Sequence, residues 1–122
     1  MTPLGEIANR WSNSHPTPIF VGAVPEGTPP PHLALTENTT SQVRASGNVI
    51  SWNQTAVTIT AVASTSVEAG ELGDYMEMLF NGVSFGSVAD MVMTMRSVSY
   101  MDTPTLTGNR GWVAMLDFSI KY

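Results

Sequence analysis

The chain contains no cysteine, so no disulfide can staple the fold and no thiolate can hold a metal. Basic residues are scarce. Arg10, Arg44, Arg96, Arg110 and Lys121 stand against ten acidic residues, for a net charge of -5. Gripping nucleic acid requires clustered Lys or Arg that displace counterions from phosphates. These five are scattered, so DNA beside this protein is expected to slide past without being specifically bound. Charged residues of both signs make up only 12% of the chain, about half of the roughly 25% usual in soluble domains. The surface must then be built largely from Thr, Ser, Asn, Gly and Pro. Such a surface gives up part of the repulsion that keeps proteins apart, which points weakly towards assembly. No apolar run approaches the roughly 18 residues of a membrane span, and MTPLGEIANRW has neither the basic nor the apolar region of a secretory signal. The expectation is a protein made and used in a cytoplasm, or assembled there into something larger, with no membrane partner. The sequons at Asn38 and Asn53 read as chance matches in a Thr-rich chain.

Assembled chemistry is also missing. His15 and His32 lie on either side of a proline-rich stretch and lack a carboxylate or second His at metal-ligand spacing, so they read as solvated loop residues. No G-x-S-x-G elbow is present, and GNRGW lacks the Lys and the strand-to-helix setting of a phosphate loop. The residues Glu68, Glu71, Asp74 and Glu77 could supply a carboxylate pair, but a catalytic pair needs one member raised in pKa by burial. An exposed helix face does not provide it. No catalytic residue, metal ligand or cofactor is expected, and the chain reads as a structural or binding protein, not an enzyme.

What is present is enough for one hydrophobic core, hence one domain over residues 1–122. Thr2 and Pro3 open a short helix whose Leu4, Ile7, Ala8 and Trp11 form one apolar stripe. IFVGAV, residues 19–24, reads as a strand. Four prolines within residues 25–31 then impose a stiff extended connection before HLALTEN. Residues 39–47 have turn-like composition and read as a mobile loop. ISWNQTAVTITAVAS alternates, with Val57, Ile59, Ala61 and Ala63 on one face, and is rich in β-branched residues. Thr65 and Glu68 make a capping box for the next helix, which carries Ala69, Leu72, Tyr75, Met76 and Leu79 at helical spacing and stops at Asn81-Gly82. Its four acids read as one exposed stripe. Gly70 and Gly73 each cost roughly 1 kcal/mol inside a helix, which a close approach to the sheet or a neighbouring subunit would offset.

The last third reads as a long hairpin. ADMVMTMRSVSYM sets Met91, Met93 and Met95 against Val92, Thr94, Arg96, Val98 and Tyr100. DTPTLTGNR turns, and RGWVAMLDFSIKY returns. The methionines read as core more readily than as an adaptable binding face. Leu116, Phe118 and Ile120 should pack beneath the second helix, whereas Trp112, Val113 and Met115 make both faces of the strand apolar beside the turn. That end is expected to project and, with Leu106 and Arg110, to meet a neighbour. The order of elements gives an α+β class: a four- to five-stranded, mainly antiparallel or mixed sheet, two helices on one face, and a projecting C-terminal hairpin.

The order and spacing of these pieces resemble the tail-terminator, or tail-completion, proteins of long-tailed bacteriophages. The likeness lies in the N-terminal amphipathic helix, in the proline-flanked step VPEGTPPPHLAL, in the strand and helix VTITAVASTSVEAGELGDYMEML, and in the final DFSIKY. His32 stands where that family often has an aromatic residue. The resemblance implies a homo-oligomeric, six-fold ring in the neck of the virion, assembled in the host bacterial cytoplasm. Such a ring ends tail-tube polymerisation and joins the tail to the head connector, so its partners would be the tail-tube protein and a head-completion or connector protein. DNA would pass through its lumen, with Glu68, Glu71, Asp74 and Glu77 as candidate lining residues. The alternatives are another neck component, such as a head-completion or stopper protein, and a monomeric ligand-binding α+β domain.

Overall fold

In the computed structural model the described residues are 3–25, 27–44, 50–101 and 111–122. They form α1 (Pro3–Ser14), β1 (Ile19–Val21), β2 (His32–Arg44), β3 (Ile50–Ala63), α2 (Ser66–Phe80), β4 (Val83–Phe85), β5 (Val88–Met101) and β6 (Gly111–Lys121). The strands make one six-stranded sheet in the order β1-β2-β3-β6-β5-β4. β1 runs parallel to β2 and every other pair is antiparallel. The class is α+β with a mixed sheet, as the sequence implies, but with a sixth strand. β4 is only VSF, too short to show a period, and folds back on β5 through a tight turn at Gly86 and Ser87.

Register places the apolar positions of neighbouring strands side by side. Val57, Ile59 and Ala61 of β3 stand opposite Phe118, Leu116 and Ala114 of β6, while Leu33 and Leu35 of β2 stand opposite Ala61 and Ile59. All are buried, and with Ile7, Trp11, Leu72, Met76 and Phe80 they form one core cluster between the sheet and both helices. Phe80 meets Phe118 edge-on at 6.1 Å and stacks on Trp11 at 6.5 Å, so the two helices share one face of the sheet. Burying each of Leu116, Phe118 and Ile120 contributes about 1.5–3 kcal/mol.

Helix α1 is too short to hold by propensity alone, and polar contacts tie it down. The indole N–H of Trp11 donates to the Thr17 carbonyl at 2.8 Å, and Arg10 Nε donates to the Leu79 carbonyl at 3.0 Å while its guanidinium lies 4.9 Å from the centre of the Phe85 ring. Tyr75 of α2 donates to the Ser14 carbonyl. Glu6 Oε2 accepts from both the backbone N–H and the hydroxyl of Ser87, at 2.7 and 2.8 Å. Gly86 makes that clamp possible. Its φ is +52°, and a Cβ there would lie 2.6 Å from the Glu6 carboxylate.

Two sequence readings need correction. Residues 39–44 are not a loop: β2 continues through them, with Thr40 opposite Thr55 and Gln42 opposite Asn53. Polar TTSQ resembles a turn in composition, but β3 alongside supplies the ladder partners that keep it extended. His32 is not a solvated loop residue. It is 1% exposed at the start of β2, with Nδ1 donating to the Pro29 carbonyl at 3.3 Å, which anchors the proline-rich connection to the sheet. β5 and β6 do pair, from Asp90 opposite Lys121 to Met101 opposite Gly111, but the turn thought to project, with Leu106 and Arg110, lies outside the described residues. At the opposite end β2 and β3 continue past β6. Tyr122 pairs with Asn53 through two backbone hydrogen bonds, and beyond that point β2 and β3 pair only with each other among the described residues.

Candidate interaction surfaces

The face of the sheet turned away from the helices is built mainly from small polar residues. Register puts Thr36, Thr58, Asp117 and Met95 in one row, and Ala34, Thr60, Met115 and Ser97 in the next. A hydrogen-bond chain crosses three strands here: the Asn38 amide donates to Thr58 Oγ1 at 2.8 Å, and that hydroxyl donates to Asp117 Oδ1 at 2.7 Å. Gln54 and Ser119 repeat the pattern between β3 and β6 at 3.1 Å. Neither helix reaches this face. At the end near His32, Val62 and Val113 it is buried, and over Val92, Met95 and Met115 it is exposed.

A bulge decides which methionines belong to it. Between Met93 and Met95 the register slips by one residue, with Met93 opposite Phe118 but Met95 opposite Asp117. A one-residue slip exchanges the two faces of everything beyond it. Met91 and Met93 therefore pack on the core, Met95 is exposed on the open face, and Arg96 turns towards α2. The strict alternation read from the sequence placed Met95 with Met91 and Arg96 opposite them; both assignments are reversed.

Beneath α2, Arg96 reaches residues on successive turns. Nη2 lies 2.8 Å from Asp74 Oδ1 and 3.3 Å from the Gly70 carbonyl, and Nη1 lies 3.7 Å from Glu77. Gly73 leaves room for this, since a Cβ there would stand 3.0 Å from Nη2. The acids do not form a single stripe. Positions three apart fall back about 60° around a helix at each step. Glu68 closes the capping box, receiving the Ser64 N–H while its own N–H donates to Thr65 Oγ1; Glu71 is exposed, and Asp74 and Glu77 flank Arg96.

On the other flank of α2 a groove of about 340 Å³ is lined by His15, Thr17, Glu68, Glu71 and Tyr75, among others. His15 is stacked on Trp11 at 4.7 Å, and its Nδ1 accepts the Thr17 N–H, so in the neutral ring the proton sits on Nε2. The groove's volume is near the lower limit for small-molecule sites. Among the described residues no three His, Cys, Asp or Glu side chains are placed to hold a metal ion.

Of the residues expected to meet a neighbour, Leu106 and Arg110 lie outside the described residues, and the other three divide between the two faces of β6 as alternation implies. Trp112 is on the core side, half-buried, with its ring 5.4 Å from that of Tyr100. Val113 and Met115 point the other way, Val113 buried at 6% exposure and Met115 at 41%. What sequence reading missed are Arg96 and the Thr/Ser face. Arg96 was hidden by the bulge, and the face was legible only as excess Thr and Ser. Neither a scan of family models nor a search of curated proteins finds a match to the chain.

Proposed function

We propose that the protein is a structural subunit of a phage virion, a tail terminator that assembles into a six-fold ring at the head-proximal end of the tail. In this reading the ring stops growth of the tail tube and joins the tail to the head connector. The observation that carries it is the two-sided sheet. One face is sealed by both helices, while the other, which neither of them reaches, is a broad surface on which Thr, Ser, Asn and Asp117 hydrogen-bond beside exposed Val92, Met95 and Met115. Such a sheet suits a wall element with packing on the outside and a surface within that carries few charges. That surface offers DNA no cluster of Lys or Arg, as a conduit requires. Asp74 and Glu77 are engaged with Arg96 on the helix side, so the lining role passes from the helix acids to the open face.

The test is the mass of the purified protein with negative-stain images, followed by binding to isolated tail tubes. A ring near six times 13.1 kDa that caps tube ends supports the proposal. A chain that is monomeric alone and ignores tube ends sinks it. A ring that binds the portal side instead of the tube identifies a head-completion or stopper protein.

A further inference from the structure

Both sides of the sheet carry a long strand that is only partly covered. β1 pairs with β2 at residues 33–35 and no further, so from residue 36 to 44 β2 has β3 on one side and no described strand on the other. β4 covers β5 only as far as Met91, the N–H of Met93 is taken by the Asn81 side chain, and residues 94–101 have no described strand beyond them. Open edges of this length are normally guarded by Lys, Pro or inward charges. These two stretches, TENTTSQVR and TMRSVSYM, contain neither Lys nor Pro; each keeps one inward charge, Glu37 opposite Val57 and Arg96 under α2, and one bulge, and the rest of each edge carries no such guard.

We infer that copies of this chain join head to tail through the sheet, the open edge of β2 in one copy pairing antiparallel with the open edge of β5 in the next. Three features of the fold agree on this pairing. The directions fit: β3 is antiparallel to β2, β6 to β3 and β5 to β6, so β5 runs opposite to β2 and the alternation continues across the junction. The lengths fit, since the two open stretches are nearly equal. The corners fit as well. β1 blocks the far end of the β2 edge and β4 the near end of the β5 edge, so a neighbour docks only if shifted along the strands, which brings the two open stretches level.

The size of that shift provides an independent check. Through the register, Thr40, mid-way along the open part of β2, is level with Ile120, and Ser97, mid-way along that of β5, is level with Met115. The two midpoints differ by about five residues, and since like faces must meet the shift is about four or six, or ~13 to ~20 Å at ~3.3 Å per residue. Spread over the four long strands of each copy at ~4.8 Å spacing, it tilts the strands by about 35–46° from the axis of a closed assembly. Closed barrels have tilts of about 35–45°. The result does not depend on copy number and makes the contact heterologous, the kind that closes into rings. The pairing requires a second copy and nothing from a tail, so it stands or falls apart from the tail-terminator proposal.

The absence of cysteine in the natural chain makes the test clean. Thr36→Cys and Asn38→Cys mark the β2 edge, and Ser97→Cys and Ser99→Cys the β5 edge; all four lie on the open face, and paired strands keep like faces together. Within one copy the two edges are three strand spacings apart, ~14 Å, beyond the ~7 Å Cα separation a disulfide can bridge. Mixing a β2 variant with a mass-tagged β5 variant under mild oxidation should give mixed dimers, and neither variant alone should dimerise. A chain carrying one cysteine of each kind should give a ladder of covalent multimers. Homodimers of either single variant would show a two-fold junction and overturn the inference. So would the lack of mixed dimers for every combination of positions.

Discussion

Replacing Arg96 with Met tests the bulge and the helix seat together. Met keeps an unbranched stem in the space left by Gly73 and removes the guanidinium. The bond to Asp74 has good geometry, 2.8 Å, but the acid is largely exposed, with 74% of its side chain accessible, so screening limits the pair to about 0.5–1 kcal/mol. The hydrogen bond to the Gly70 carbonyl adds about 0.5–1 kcal/mol. With the cation gone, Asp74 and Glu77, three residues apart, repel by a few tenths of a kcal/mol. The expected loss is about 1.5 kcal/mol, which lowers the urea midpoint by ~0.5–1 M for a domain of this size. Asp74→Asn should cost less than half as much, because Gly70 and Glu77 still hold the arginine. Raising salt to ~1 M should shrink the Arg96→Met effect towards the hydrogen-bond part alone. Far-UV circular dichroism in urea reads all three. A midpoint for Arg96→Met equal to or above that of the natural chain, or a larger loss for Asp74→Asn, would refute the assigned seat beneath α2.

The hydrogen bonds from Ser87, first the side chain and then the backbone, hold the Glu6 carboxyl below its ordinary value of 4.5. Because the folded pKa is depressed, the clamp's contribution is full above that ordinary value and is lost as pH falls through the folded one. Urea midpoints of the natural chain and Glu6→Gln should therefore differ at neutral pH and converge in acid. Gly86→Ala forces a side chain to a positive φ and into the same carboxylate; it should cost about 1–3 kcal/mol in the same assay. Trp112→Ala removes a half-buried ring packed on the core and should cost about 2–3 kcal/mol, whereas Met115→Ala on the open face should stay within about 0.5 kcal/mol; equal losses would contradict their opposite orientations. Met93→Lys should be strongly destabilising and Met95→Lys nearly neutral in thermal melts. The reverse ranking would show that the bulge is misplaced.

The helices and the core were legible because their signals are redundant. The capping box at Thr65 and Glu68, the stripe of Ile7 and Trp11, and the alternation from Val57 to Ala63 each combine a local preference with burial on one face. Reading failed where a single residue changes phase. Nothing in MVMTMRSV marks Thr94 as the extra residue, so every face assignment after it came out inverted until pairing with β6 fixed the register. It failed again where composition and tertiary context disagree, as in TTSQVR, which is polar enough for a loop but is held straight by β3. β4 was too short to be seen. The open face was invisible for a different reason: which Thr and Ser residues stand together depends on strand order, and order is not a local property of the chain.

Strand order also governs when the fold can exist at all. β6 follows every other strand in sequence yet lies in the middle of the sheet, between β3 and β5. Until it leaves the ribosome, the hairpin of β2 and β3 and the pair of β4 and β5 have no shared partner, and the core lacks Leu116, Phe118 and Ile120. The two halves would emerge with unpaired inner edges facing each other across a gap. Folding then waits for β6 to insert, with mostly long-range contacts to form and a correspondingly slow rate. Nascent chains shortened before β6 should be protease-sensitive throughout, because the outer edges of the sheet have a stable fold behind them only once β6 is in place.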